Sequence, residues 1–482
     1  MTALPPISSA PLSRLDFAWR PADRLKAAFA SEKLRQSAIA LAVLIVAFLL
    51  GYEEVPGLGT PVEARVIIPL LVAPFFLFHT VRRIEYGVLA LPVLAAAVPF
   101  SVGTGTGSSL VASLLFATFL IGLWIFQMVS SGHISLASSP VNVPLMGFLL
   151  AAILATLASN VMADPLLVSW PNWTQIQMGG LSVFIVSVGV LLLTANVIRS
   201  LDWIERLVWI FLGLGAMALG LRILPLDHFI HINTGGLFSM WVITLALGQA
   251  LFNQQLSGRL RLALTVLGLG WLSLRTFIEG EWLSGWVPAM SAILVLAFFR
   301  SRRLFLLALM AVVAISAMNQ DHLFGTQLTG TESEGNLLRL DLWERSLALT
   351  RQHLLLGSGV AGYARYYVSF NPAQAWSTHS NYLDVLAQTG LVGSFLFVWF
   401  LVAMFRIASE VRTRWPVGFG AGYAAGVFGG LVGTLIAMAL GDWVIPFVYN
   451  QTIAGFRYTI YTWLFLGALA SMRHMTQARG RP

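Results

Sequence analysis

The sequence predicts an all-α membrane protein, a polytopic bundle of about 12–14 transmembrane helices with one long periplasmic loop containing an amphipathic helix. Of the 482 residues, 57% are hydrophobic and only 10% charged. With a mean hydropathy of +0.79, the chain has too little polar surface for a water-soluble domain. Apolar runs of roughly fifteen to twenty-four residues recur from Ser37 to Ala470, enough to cross or nearly cross a hydrocarbon layer of about 30 Å. The runs are continuous and do not alternate with polar residues, which excludes the strands of an outer-membrane barrel. Helices remain, because they satisfy their own backbone groups in lipid.

The spans are read at 37–51, 65–79, 87–101, 108–129, 141–159, 177–197, 205–223, 236–252, 262–275, 283–299, 304–318, 381–404, 417–440 and 456–470. The first two are short enough to form a re-entrant hairpin instead, which sets the lower figure of about twelve. The chain then divides into a cytoplasmic tail at 1–36, transmembrane helices over 37–318, a large periplasmic loop at 319–378, further transmembrane helices over 379–470 and a cytoplasmic tail at 471–482. The first segment is polar and contains proline, unlike a cleaved signal peptide.

Orientation follows from the basic residues, which concentrate in cytoplasmic loops. With the N-terminus inside, 21 of the 29 Lys and Arg residues fall on the inner side. The other eight are all arginines: Arg65, Arg222, Arg275, Arg339, Arg345, Arg351, Arg365 and Arg457. Both termini are therefore expected in the cytoplasm of a bacterial cell, the protein in its inner membrane, and the long 319–378 segment outside. Facing the anionic inner leaflet, the net charge of +8 is a topological charge and gives no reason to expect nucleic acid.

The composition also excludes several chemistries. The absence of cysteine rules out disulfides and thiolate metal sites, and the histidines show no metal-ligand spacing. No Walker motif, dinucleotide-binding glycine motif or internal repeat is present. Neither a cofactor nor a metal is expected.

The polar residues gather outside. The stretch 336–353 carries Leu340, Trp343 and Leu347 at helical spacing, as expected of an amphipathic helix lying on the membrane surface. Arg339 and Trp343, four residues apart, emerge on one side of it, suited either to a phosphate and a neighbouring sugar or to interfacial anchoring. Arg222 and Arg275 stand at helix ends, where arginines also snorkel to the interface. Glu279 and Glu281 are the nearest candidate ion-pair partners of Arg275. His379 precedes an apolar helix beside the capping residues Ser380 and Asn381, and Asp384 in the first turn reads as structural.

Together, RLDLWERSLALTRQHLLLGSG at 339–359 and HSNYLDVLAQTGLVGSFLF at 379–397 resemble the signature region of the O-antigen ligase and polymerase superfamily. The residues that carry the resemblance are Arg339, Trp343, Gly357, Gly359, His379, Asn381, Gly390 and Gly393. A weaker likeness places Arg222 and His231-Ile-Asn-Thr234 where the family has an Arg and an Asn-Pro-Asn segment. The chain departs from the pattern at 282–285, which lacks the family's arginine and leaves Arg275 as its substitute, and at Gln388, where a glutamate is usual. The resemblance spans about 140 to 470.

It implies a metal-independent glycosyltransferase acting at the periplasmic face on a polyprenyl diphosphate-linked glycan donor. The acceptor is a lipid or another glycan, ligase-like transfer onto a lipid-anchored acceptor being slightly preferred over polymerisation. Arg339 and His379 are the implied catalytic residues, His379 as general base or as orienter of the donor phosphate. Arg222, Arg275, Trp343 and Asn381 are implied in substrate binding, with guanidinium forks opposing the charge that develops on a diphosphate leaving group. Phe370, Trp376 and the pair Tyr366–Tyr367 offer aromatic faces for sugar stacking. The alternative is a transporter or flippase for a lipid-linked or anionic substrate, which would place polar groups near the midplane of several helices. A structural scaffold is a third reading, and it leaves the outer arginines unexplained.

Overall fold

The computed structural model describes residues 76–105, 107–168, 170–224, 226, 232–279, 283–318, 339–370, 378–447 and 451–479, all within the unit Leu50–Pro482. The expected span 37–51, most of 65–79, Arg65, His231, Glu281, Trp376 and the segment 319–338 lie outside the described residues, as does the side chain of Arg339.

Helices dominate. They are α1 (Ile84–Ala97), α2 (Ala112–Ser130), α3 (Asn142–Val161), α4 (Trp173–Val197), α5 (Leu201–Ile223), α6 (Phe238–Phe252), α7 (Gly258–Ser273), α8 (Leu283–Arg300), α9 (Arg302–Met318), α10 (Arg339–Gln352), α11 (Gly362–Phe370), α12 (Asn381–Arg414), α13 (Gly418–Leu440) and α14 (Phe456–Arg479). Each expected span from 87 onward corresponds to one of them. Among the described residues, eight helices are long and apolar enough to cross a membrane, with α7 counted through its extension to Ile278. Helices α12 and α14 run past the expected ends at 404 and 470. Their polar last turns are tied together by Glu410, which pairs with Arg414 at 3.0 Å and Arg473 at 2.7 Å.

Two elements were not anticipated. Strands β1 (Ser101–Gly103) and β2 (Ser109–Val111) form a short antiparallel hairpin whose connection includes Gly105 and Gly107 at positive φ. Helix α11 stands inside the large loop.

The centre of the bundle is α6, buried along nearly its whole length, with α13 and α8 against it. The glycines of α13 make this possible. A methyl group on Gly426 would stand 2.9 Å from the Thr244 carbonyl oxygen, and one on Gly248 would stand 2.8 Å from the Gly426 Cα. A methyl on Gly433 would stand 2.6 Å from the Met240 sulfur of α6 and 2.7 Å from the Pro288 carbonyl oxygen of α8. Small residues four apart let backbones meet where lipid supplies no hydrophobic drive for helix association.

On the side expected to be outer, α10 and α11 dock onto α12. Leu342 and Leu349 of α10 are buried with Tyr363, Tyr366, Tyr367, Ala387 and Leu167, and Trp343 packs against this cluster partly exposed. The buried face therefore differs from the expected one, since Leu347 is exposed. The tyrosines of α11 and the α12 backbone supply an apolar partner on the Leu342–Leu349 side. The turn after α10 is welded to a break in α12 at Gly390 (φ 64°, ψ −164°). Four backbone amides bridge them: Ser358 to Ala387 O, Gly359 to Gln388 O, Leu391 to Leu354 O and Val392 to Leu355 O, at 2.8–3.2 Å. A methyl on Gly357 would meet the Gly390 nitrogen at 2.6 Å, so the Gly-x-Gly turn and Gly390 act as one contact.

Candidate active site

Helices α5 to α8 alternate in direction, so the C-terminal ends of α5 and α7 share one side with the N-terminal ends of α6 and α8. A cavity of about 390 Å³ opens at that end, lined by Gly235, Gly236, Arg275, Glu279, Ser284, Gly285, His379, Leu440, Gly441, Asp442, Trp443, Gln451 and Tyr458. It collects residues separated by more than two hundred positions in sequence.

Helix α7 ends in a π-helical turn, Leu274–Ile278, closed by the Glu279 amide on the Leu274 carbonyl at 2.9 Å. Such turns are rare and recur at functional sites. This one presents Arg275 and Glu279 together: Arg275 Nη1 donates to Glu279 Oε2 at 2.6 Å. Arg222, from the last turn of α5, pairs with the other carboxylate oxygen, Glu279 Oε1. Thr234 lies between the two guanidiniums, its hydroxyl accepting from Arg222 at 2.5 Å and its carbonyl from Arg275 at 2.5 Å. Trp271 presents its ring to both, with the Cζ atoms 5.6 and 5.7 Å from the centroid. Two cations therefore share one anion, so the arginine cluster itself carries one excess positive charge, with the Asp442 carboxylate on another part of the cavity wall.

His379 sits in the left-handed backbone region (φ 50°), uncommon for a residue with a side chain. Its neighbours are tightly held. Trp343 Nε1 donates to the Thr378 carbonyl at 2.9 Å, and the Thr378 hydroxyl donates to the buried Asp384 carboxylate at 2.7 Å. Asn381 is fully buried, donating to Ile445 O at 2.8 Å and accepting from the Val444 amide at 2.9 Å. Trp343 and Asn381 thus fix the backbone on either side of His379 and do not line the cavity. Gln388, at the family's glutamate position, is buried and accepts from the Ala361 amide at 2.7 Å, holding the Gly-x-Gly turn.

The other arginines expected on the outer side sit against single aromatic rings or stand exposed, Arg457 against the cavity-lining Tyr458. Arg345 lies 5.7 Å from the Tyr367 ring centroid, Arg365 5.0 Å from that of Trp173 and Arg457 4.8 Å from that of Tyr458, while Arg351 is exposed. The aromatic faces expected to stack on sugars are largely internal: Tyr366 and Tyr367 are buried and Phe370 is exposed. Burial pushes the Tyr363 phenol up, Asp384 and Tyr367 add to this and Arg345 opposes it, so the phenol stays protonated at neutral pH.

Residues 264–398 match the O-antigen ligase family model. The matched segment holds Arg275, Glu279, α10, the Gly-x-Gly turn, His379 and the break at Gly390, and it supports the resemblance to the O-antigen ligase and polymerase superfamily over that part of the chain. With eight helices long and apolar enough to cross a membrane among the described residues, the match indicates a multi-pass inner-membrane protein. No curated protein matches the chain. Sequence reading missed Trp271 and the C-terminal wall of Asp442, Trp443, Gln451 and Tyr458. No spacing pattern links 441–458 to 271 or 379, so only the packing of α13 and α14 reveals them.

Proposed function

We propose that the protein is a periplasmic-face glycosyltransferase that moves a glycan from a polyprenyl diphosphate donor to an acceptor hydroxyl. A lipid-anchored acceptor, as for a ligase, is preferred over a growing polysaccharide. The observation that carries this reading is the convergence of Arg222 and Arg275 on Glu279 at a cavity also lined by His379.

In the proposed reaction the acceptor oxygen bonds to the anomeric carbon as the carbon–oxygen bond to the diphosphate breaks. The bonding electron pair leaves with the diphosphate. His379 takes the acceptor proton, and Arg222 and Arg275, with Arg339 as a further catalytic arginine, oppose the charge accumulating on the leaving group. Guanidinium forks supply that charge without a divalent ion. Four candidate spanning helices, α2, α3, α4 and α13, and the shorter central helix α6 contain no Asp, Glu, Lys or Arg, which speaks against the charged midplane pathway of a carrier.

The test uses purified protein in lipid nanodiscs with a labelled polyprenyl diphosphate-linked glycan. Transfer is expected to persist with a chelator present and to be abolished by His379→Ala while thermal unfolding is unchanged. Near wild-type transfer by that variant reduces His379 to a structural residue. A reporter active only outside the cytoplasm, inserted at 325–335, is expected to give signal; silence there reverses the orientation. In cells lacking the gene, full-length glycan accumulating on the carrier identifies a ligase, and single repeats on the usual acceptor identify a polymerase.

A further inference from the structure

The cavity has a second wall that the arginine site does not use. It is built from the loop after α13 and the start of α14, outside the matched segment 264–398. Trp443 and Tyr458 bring aromatic rings to it, and Asp442 and Gln451 bring planar polar groups. The backbone of Gly235 and Gly236 lies against these rings. A methyl on Gly236 would meet Tyr458 Cβ at 2.7 Å and Trp443 Cε3 at 3.4 Å. Because Thr234, which both arginines hold, immediately precedes these glycines, the aromatic wall adjoins the arginine pair.

Gln451 is oriented by its amide nitrogen, which donates to Asp442 Oδ1 at 3.0 Å. Asp442 is buried and also accepts from the Phe447 amide at 3.1 Å. Two polar atoms of the wall remain buried without a hydrogen-bond partner among the described residues, the Gln451 Oε1 acceptor and the Trp443 Nε1 donor. Leaving a buried donor and acceptor unmade is costly, and each requires an account. A hydroxyl both donates and accepts, so it answers either atom. Aromatic rings beside planar hydrogen-bonding side chains match a pyranose, which has apolar C–H faces and an equatorial rim of hydroxyls.

We infer that Asp442, Trp443, Gln451 and Tyr458 form a pyranose subsite beside the Arg222–Arg275 pair. Its ligand is a sugar ring, either the one attached to the donor diphosphate or the one carrying the acceptor hydroxyl. This inference rests on the proposed transferase reading, and its test separates the two.

The variant is Trp443→Phe, which keeps an aromatic face and removes the donor, with thermal unfolding as a check on folding and Trp443→Ala as the stronger variant. Binding of polyprenyl diphosphate with and without its glycan is measured in nanodiscs without turnover, and acceptor KM is measured separately. If the ring is the donor's, Trp443→Phe weakens binding of the glycan-bearing carrier by about threefold to tenfold, the worth of one hydrogen bond, and leaves the sugar-free carrier unaffected. If the ring is the acceptor's, the acceptor KM rises by a similar factor and donor binding is unchanged. Neither change in either folded variant overturns the subsite. Absence of transfer by the wild-type protein would defeat the transferase reading, while the binding comparison would still report on the sugar.

Discussion

Two groups among the arginines expected on the outer side behave differently in this molecule. Arg222 and Arg275 come from different helices and share one carboxylate, Glu279, at the edge of a cavity. Arg345 and Arg365 sit against Tyr367 and Trp173 on the docked loop and the start of α4. Stacking does not separate the groups, because Trp271 lies beneath the first pair as well. Convergence does. Two cations around one anion hold charge that a ligand can use, whereas an arginine on a single ring contributes about 0.5–1 kcal/mol of local attachment at exposed sites.

The largest effect expected from this contrast is on transfer rate. Arg275→Lys and Arg222→Lys should each lower glycan transfer roughly a hundredfold to a thousandfold, nearly as much as the alanine variants, because an ammonium lacks the planar fork. Near wild-type rates in both lysine variants would show that charge alone suffices and would dissolve the distinction between the two groups. Next comes the attachment of the loop. Gly390→Ala places a methyl on Leu355 O and the Gly357 nitrogen in a conformation open essentially to glycine. It should cost roughly 1–3 kcal/mol, read as earlier thermal unfolding and faster proteolysis between 339 and 370.

Arg345→Lys and Arg365→Lys should change the transfer rate by less than about threefold and lower stability by less than about 1 kcal/mol. A rate loss as large as that of Arg275→Lys would move either residue into the first group.

The smallest effect concerns pH. Burial holds the His353 imidazole below its ordinary value of 6.5, with Asp164 opposing. The unfolded chain therefore binds this proton more readily than the folded one, so stability falls as pH drops through 6.5 and levels off below the folded value. Hydrogen-exchange protection across 345–370, corrected for the slower intrinsic exchange at lower pH, should fall between neutral pH and about pH 5.5 in the wild type, and less so in His353→Gln. An identical pH response in that variant would assign the effect elsewhere.

The helices were legible because hydrophobicity in a membrane protein is a local property, and each span from 87 onward announced itself through its own residues. The loop was legible only in part. Helix α10 has apolar residues on more than one side, and the choice of Leu342 and Leu349 over Leu347 was made by the tyrosines of α11, nine residues long and without a helical signature of its own. In the site, Arg222, Arg275, Glu279 and His379 stood out as polar groups at the ends of apolar runs. The Arg275–Glu279 pair has ordinary i,i+4 spacing, but that Glu279 also reaches Arg222 depends on how α5 and α7 meet, which no periodicity registers. The C-terminal wall was invisible for the same reason: Trp443 and Tyr458 become neighbours of Gly236 only when α13 and α14 pack.

Glu279 also has a consequence for turnover. The arginine pair already holds an intramolecular anion at high effective concentration, so a phosphate group engages it by competition. Affinity is then a difference between two anions, and the leaving diphosphate departs more easily because a replacement waits beside it. Glu279→Gln should accordingly tighten inhibition by free polyprenyl diphosphate and slow its release; unchanged inhibition would mean that the carboxylate orients the arginines without contesting them.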